Sequence, residues 1–491
     1  MSAQKFDPDE SKYAASARAF RDNVTRDLAN EELRDNFRGA MDYLMDKRKS
    51  AFPSSDELES LREQCKLIKQ RCLLKLPHLL EELETNLEAN GIKVHWAETI
   101  TDANDIIAQL IAKKNGKTVV KGKSMVSEET ALNDYLEARD IECLESDMGE
   151  YIVQLAHEHP SHIIMPAIHQ NKKQVADLFA ENIDGFAHTT DVDALIGEGR
   201  RVLREKFSQA DVGITGVNFA VAETGTLCLV ENEGNGRMCS TVPNLHIAIT
   251  GIEKVVEFLD DVPPLLSLLT RSATGQIIST YFNMISSPRK NDEKDGPEEV
   301  HLVLLDNGRS QAFADDELRQ TLQCIRCGAC MNHCPVYTRI GGHAYGTVYP
   351  GPIGKIVSPH MLGLEATNNL PTASSLCGAC GEVCPVKIPI PKLLLRLRTE
   401  SVKNKTSAPE VMKGEGSGRK TLEVIIWKTW SVMHKYSFIY NTSMWFATRL
   451  RKLMPSKLGV WTSVRSAPKL APQTLHEKIK ARNNQKNKGG K

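Results

Sequence analysis

Between about residues 10 and 90, apolar side chains recur at three- and four-residue steps, as in Leu58, Leu61, Cys65 and Ile68. That spacing puts them on one face of a helix, and with few Gly or Pro in the stretch it predicts a helical N-terminal layer over 1–90. From about residue 91 short apolar runs alternate with longer amphipathic ones, the pattern of buried strands interleaved with helices. Strands are expected at Thr118–Val120, Ile163–Pro166, Phe219–Val221, Thr226–Val230, His246–Thr250 and Val300–Leu305. A helix is expected over Ser127–Ala138, with Ser127 as its cap and Glu128 and Glu129 favouring its positive start. These elements make an α/β domain over 91–305. The charged Pro/Gly stretch from Ser286 to Pro297 reads as an exposed loop before the last strand.

A chain of 491 residues has room for two to four domains. Two further regions follow the α/β domain, 306–400 and 401–491. Lys+Arg and Asp+Glu both number 62, and the resulting formal charge of zero argues against a dedicated nucleic-acid binder. The zero is a cancellation: residues 401–491 hold 19 Lys+Arg against 4 Asp+Glu, leaving 43 against 58 in residues 1–400. The basic end reads as a docking face for an acidic partner, a membrane surface or nucleic acid. The N-terminal residues lack the apolar run of a secretory signal, and no stretch approaches 18 uninterrupted apolar residues. A cytoplasmic, soluble protein with possible peripheral membrane contact is expected.

Seven of the twelve cysteines crowd into two short motifs. The first, Cys324-Ile-Arg-Cys327-Gly-Ala-Cys330-Met-Asn-His-Cys334-Pro335, is the C-x2-C-x2-C-x3-C-P run of bacterial-type ferredoxins. Three thiolates from one tight loop bind one cubane, and the fourth, turned away by a proline, points at the neighbouring cluster. The second motif is Cys377-Gly-Ala-Cys380-Gly-Glu-Val-Cys384-Pro385, with Ser374 where a leading cysteine would stand. Crossing the fourth ligands gives Cys324, Cys327, Cys330 and Cys384 to one [4Fe-4S] cluster, and Cys334, Cys377 and Cys380 to a second. The fourth position of the second cluster could be filled by the serine oxygen, by water or by a partner's thiolate, or its iron could be absent. Paired zinc sites fit poorly, since a zinc ribbon has no use for a third cysteine two residues on. Cys65, Cys72, Cys143, Cys228 and Cys239 lack ligand spacing and read as buried small hydrophobes.

Other signals are weaker. His157, His159, His162 and His169 lack the helical spacing of a metal motif, so satisfied histidines at a helix end are the better reading. Gly197-Glu-Gly199 has no strand leading into it, and Gly122-Lys123-Ser124 lacks the upstream glycine of a phosphate loop. Lys123, Ser124 and the turn Glu223-Thr224-Gly225-Thr226 sit at strand ends, where open α/β sheets bind ligands, and form a candidate small-molecule pocket. Ordinary turn chemistry is the alternative there. The segment Thr421–Met454 places Leu422, Ile426, Trp430 and Met433 on one helical face among basic residues, suited to packing on protein or to lying on lipid.

Taken together, the chain resembles the lactate-utilisation iron-sulfur protein family, lactate-utilisation protein B. The resemblance is carried by Gly122-Lys-Ser-Met-Val-Ser-Glu-Glu129, by Val212–Pro243 with Ala222-Glu-Thr-Gly-Thr-Leu227, by Gly341-Gly-His-Ala-Tyr-Gly346, by Gly351-Pro-Ile-Gly354, and by both cysteine motifs. It implies an α/β lactate-utilisation domain similar in fold to the ribose-5-phosphate isomerase and cyclo-ligase group. It also implies an all-α two-cluster ferredoxin domain over 306–400 and a family-specific C-terminal extension, with seven cysteines as the family's own pattern. Two companion proteins, one heterodisulfide-reductase-like, are implied in oxidising L-lactate to pyruvate. On this reading the chain relays electrons to an acceptor the sequence does not name, and no catalytic residue is assigned. Binding of lactate or a nucleotide in the α/β pocket is the competing reading. A hydroxy-acid oxidation needs a two-electron cofactor, and no flavin or nicotinamide fingerprint is present in the sequence.

Overall fold

The structure, a computed structural model, describes residues 12–402, 421–453, 455, 457, 462, 466–467 and 469–488. The chain divides into two compact units, residues 1–417 and 418–491.

In the first unit, ten strands form two sheets: β1 (Lys93–Ala97), β2 (Thr118–Lys121), β3 (Glu142–Glu145), β4 (Val212–Gly216), β5 (Phe219–Val221), β6 (Thr226–Glu231), β7 (Leu245–Gly251), β8 (Val255–Val256), β9 (Tyr281–Ile285) and β10 (Glu299–Leu305). Six of them make a parallel sheet in the order β1-β10-β7-β4-β2-β3. Every residue of β4 and β7 is buried, as expected of central parallel strands covered on both faces. Alternation along β10 sends Val303 and Leu305 to one apolar cluster with Ile107, Ile111 and Ile214. Leu302 and Leu304 join the opposite cluster. The remaining strands form a smaller sheet, β8-β5-β6-β9, in which β5 and β6 are an antiparallel hairpin.

Helices Glu31–Ala51, Ser55–Leu74 and Leu76–Ala89 build the N-terminal layer. The first two start where Asn30 and Ser54 accept hydrogen bonds from the Leu33 and Glu57 amides. Their buried faces, including Phe37, Met41, Cys65, Ile68, Leu83 and Leu87, share one core with Leu302 and Leu304 of the sheet and with Cys327, Cys330, Tyr337 and Leu393. The cysteine region is therefore packed into the body of the first unit. Between Arg309 and Glu400 every described element is an α- or 3-10 helix.

Some expectations are corrected. Ile163–Pro166 is a run of bends and not a strand, because its backbone is fixed by His162, whose Nδ1 accepts from the Ile164 and Met165 amides. The helix expected over Ser127–Ala138 is two short helices, Met125–Glu129 and Leu132–Glu137, parted at Ala131 with φ +50. Ser124, not Ser127, is the cap. In the second unit the basic aromatic segment forms helices Thr421–Lys435 and Ser437–Arg449; none of the residues of the first is buried. No helix among the described residues is long and apolar enough to cross a membrane.

Candidate iron-sulfur site and adjoining cavity

The two cysteine motifs fold into matching loops. In each, a residue with left-handed backbone precedes the corresponding cysteine, Arg326 (φ +61) before Cys327 and Leu376 (φ +55) before Cys377. A left-handed glycine follows, Gly328 (φ +81) and Gly378 (φ +91), and opens a short helix. The Arg326 amide donates to Cys324 Sγ at 3.3 Å, and the Leu376 amide donates to Ser374 Oγ at 3.1 Å. Ser374 thus occupies in space the position that Cys324 holds in the first loop.

Burial and the charges of Cys324 and Cys384 push the Cys327 thiol far up. Burial, then Cys334, raises Cys380 to about 11, and burial raises Cys384 to about 12. Cys377 is exposed, and the Ala379 amide and the Ser375 hydroxyl hold its thiol down. Burial and the neighbouring cysteines both oppose these groups as thiolates unless a cationic centre lies among them, so the donor set fits thiolate-ligated iron. Amides of Tyr337 and Ile388 donate to Cys334 Sγ at 3.5 Å and Cys384 Sγ at 3.3 Å. The buried Lys355 ammonium sits 3.9 Å from Cys334 Sγ and donates to the Ala373 carbonyl at 2.5 Å. From the N-terminal layer, Arg62 donates to the carbonyls of Glu382 at 2.7 Å and Cys384 at 2.9 Å, clamping the second loop.

A cavity of about 420 Å³ opens at the carboxyl ends of β2, β4 and β7. Lys123 and Ser124 line it, as does Arg326 from within the first cysteine loop. The other four residues of the expected pocket lie elsewhere. Glu223–Thr226 is the tip of the β5–β6 hairpin, held by Asn86 Nδ2 on the Ala222 carbonyl at 2.8 Å and by Asn90 Nδ2 on the Thr224 carbonyl at 2.9 Å. That turn docks the hairpin on the N-terminal layer.

Arg326 belongs to a buried charge network that joins the sheet to the cysteine loop. Arg309 Nε donates to Glu253 Oε2 at 2.5 Å and its Nη2 to Glu129 Oε1 at 2.7 Å. Arg326 Nη2 reaches Glu253 Oε1 at 3.3 Å, and its guanidinium lies 4.3 Å from the Tyr349 ring centre. Burial and the neighbouring Arg326 charge pull the Lys254 ammonium down to about 8. Arg326 was readable in the motif only as a spacer, and Lys254, Arg309 and Lys355 carried no local signal. Glu158 and His169, with the distant His343, gather ligand atoms within 4.8 Å of one another. His169 there bridges Ser161 Oγ at 2.7 Å and Glu158 Oε2 at 2.6 Å, and His162 is bonded to Asn332 at 3.0 Å.

Comparisons with known proteins give three family matches: a LUD domain over residues 80–305, a 4Fe-4S dicluster domain over 320–388, and the C-terminal region of lactate utilisation protein B over 396–484. The chain is 42% identical to lactate utilization protein B of Bacillus subtilis, covering 92% of this chain and 93% of that protein. The Bacillus velezensis protein of the same name is 41% identical over 95% and 98% of the two chains, and the Bacillus licheniformis one 45% identical over 79% and 82%. A DUF162 family protein from Deinococcus radiodurans aligns with 47% of the chain at 12% identity and a TM-score of 0.28, too low to argue fold.

Proposed function

Since the chain belongs to the lactate utilization protein B family, we propose that it is the iron-sulfur electron carrier of a cytoplasmic multi-protein system that oxidises L-lactate to pyruvate. Cys324, Cys327, Cys330 and Cys384 hold one [4Fe-4S] cluster, and Cys334, Cys377 and Cys380 hold a second with Ser374 at its fourth position. The observation that carries this reading is the equivalence of the two loops, down to the amide hydrogen bond on Cys324 Sγ and Ser374 Oγ. Clusters of this type supply one-electron transfer at potentials set by burial and by hydrogen bonds to sulfur. The chain's own part is to bury Cys327, Cys330, Cys334 and Cys384, to direct amides at the sulfurs and to place the Lys355 charge beside Cys334. Taking a hydride or electron pair from lactate falls to a cofactor on one of two companion proteins, one of them heterodisulfide-reductase-like.

Anaerobic reconstitution tests the reading. A brown protein with roughly eight irons and eight sulfides is expected, together with lactate-dependent dye reduction only when the companions are present. Stoichiometric zinc without visible charge-transfer absorption, or dye reduction by this chain alone, would overturn it. The cavity at the sheet's carboxyl ends favours a second role, ligand binding by the α/β region itself.

A further inference from the structure

Lys254 and Arg326 reach the cavity from different parts of the chain, Lys254 just past the carboxyl end of β7 and Arg326 between two cysteines of the first motif. Both are more than nine-tenths buried: Lys254 is 6% exposed and the Arg326 side chain 9%. Neither has its full complement of partners. Arg326 Nε is buried without a hydrogen-bond partner, and Lys254 has no hydrogen bond or ion pair among the described residues. A guanidinium N–H buried without a partner is costly to leave unmet, and the Lys254 ammonium stands on the cavity wall with no protein oxygen bonded to it. The network behind them serves them only in part, because Glu253 is shared between Arg309 and Arg326, and Glu129 between Arg309 and Tyr349.

We propose that the cavity binds an organic monocarboxylate, its carboxylate seated between Arg326 and Lys254 beside the first cysteine loop. The guanidinium fork matches a carboxylate, and the ammonium adds a second charge-assisted donor. Ile163, Val217, Leu229 and Leu269 on the walls suit a ligand with an apolar body. A doubly charged phosphate is disfavoured by Asp147, Glu231 and Glu233, which line the same cavity. These acids are already held by backbone amides, Asp147 by Gly149, Glu231 by Gly236 and Glu233 by Met148. A ligand on Arg326 lies one residue from Cys327 and two from Cys324, so the site couples the α/β region to the first set of sulfurs.

The test is calorimetric titration of the reconstituted full chain with L-lactate, pyruvate and inorganic phosphate. The choice of lactate and pyruvate rests on the function proposed above. At least one of the two carboxylates should bind saturably at one site per chain, with phosphate about tenfold weaker or more. Lys254→Met and Arg326→Gln should each weaken binding roughly ten- to a hundredfold, the range for loss of a charge-assisted hydrogen bond, with iron content and visible absorbance unchanged. If Arg326→Gln fails to assemble its cluster, Lys254→Met, on a separate element, decides. In the wild type the carboxylate should also alter the EPR signal of the cluster held by Cys324. Three results would overturn the proposal: no saturable heat with either carboxylate, which would leave the cations as a counter-charge to the cluster; phosphate binding as tightly; or Lys254→Met binding like the wild type. A chain that assembles both clusters but binds no carboxylate loses this site and keeps the electron-carrier reading. One that binds carboxylate without iron does the reverse.

Discussion

Glu253→Gln tests whether the buried network locks the cysteine loop to the sheet. Glu253 is 1% exposed and lies between Arg309 and Arg326, at 2.5 Å and 3.3 Å. Burial alone would raise its carboxyl, but Arg309, Arg326 and Lys254 outweigh that and hold it at about 2 in place of 4.5. A depression of that size is worth roughly 3 kcal/mol, in line with the ~3–5 kcal/mol lost when one partner of a buried ion pair is removed. Because the folded-state value is depressed, this stability is fully present above pH 4.5 and is lost as pH falls towards 2. At pH 7.5 the substitution should therefore remove all of it. With a urea slope of about 3 kcal/mol per molar, the midpoint should fall by about 1 M, read by far-UV circular dichroism under anaerobic conditions. Glu59→Gln is the control: Glu59 pairs with Lys387 at 2.5 Å but is 55% exposed, so its loss should barely move the midpoint. A Glu253→Gln protein that unfolds at the wild-type midpoint, or no lower than Glu59→Gln, would refute the reasoning.

Three other outcomes are expected. Cys334→Ser should damage the cluster of Cys377 and Cys380 more than that of Cys324, and reduced-state EPR losing the same signal as Cys324→Ser would contradict the crossed assignment. Mild oxidation should convert one cluster per chain to a three-iron form, because an oxygen or water at Ser374 holds iron less firmly than thiolate; Ser374→Cys should protect it, and equal survival of both clusters in the wild type would count against the idea. Ending the chain at residue 405 should leave both clusters intact by absorbance and EPR yet weaken salt-sensitive binding to the companions. Pull-down and flotation with anionic liposomes separate protein docking from lipid contact, and loss of the clusters would instead place the C-terminal segment in the core.

What the sequence could determine by itself is what short stretches of backbone determine. The cysteine motifs are local: the tight turns at Arg326–Gly328 and Leu376–Gly378 follow from a few adjacent residues, so the likeness of the two loops and the place of Ser374 beside Leu376 were legible from spacing. Buried β7 was legible for the same reason, with His246–Thr250 falling inside it, whereas β4, VGITG, interrupts its apolar residues with glycine and threonine and was not among the expected strands. Only the tertiary structure decided which strand ends meet. Lys123 and Ser124 reached the cavity, whereas Glu223–Thr226 was taken by Asn86 and Asn90 of the N-terminal layer, a competition no local pattern encodes. Ile163–Pro166 has the composition of a strand, but His162 claims its amides before any neighbouring strand can. Lys254, Arg309 and Arg326 are far apart in sequence and unremarkable one at a time. Their meaning comes from being buried together around two carboxylates, and burial of charge is a property of the packed chain.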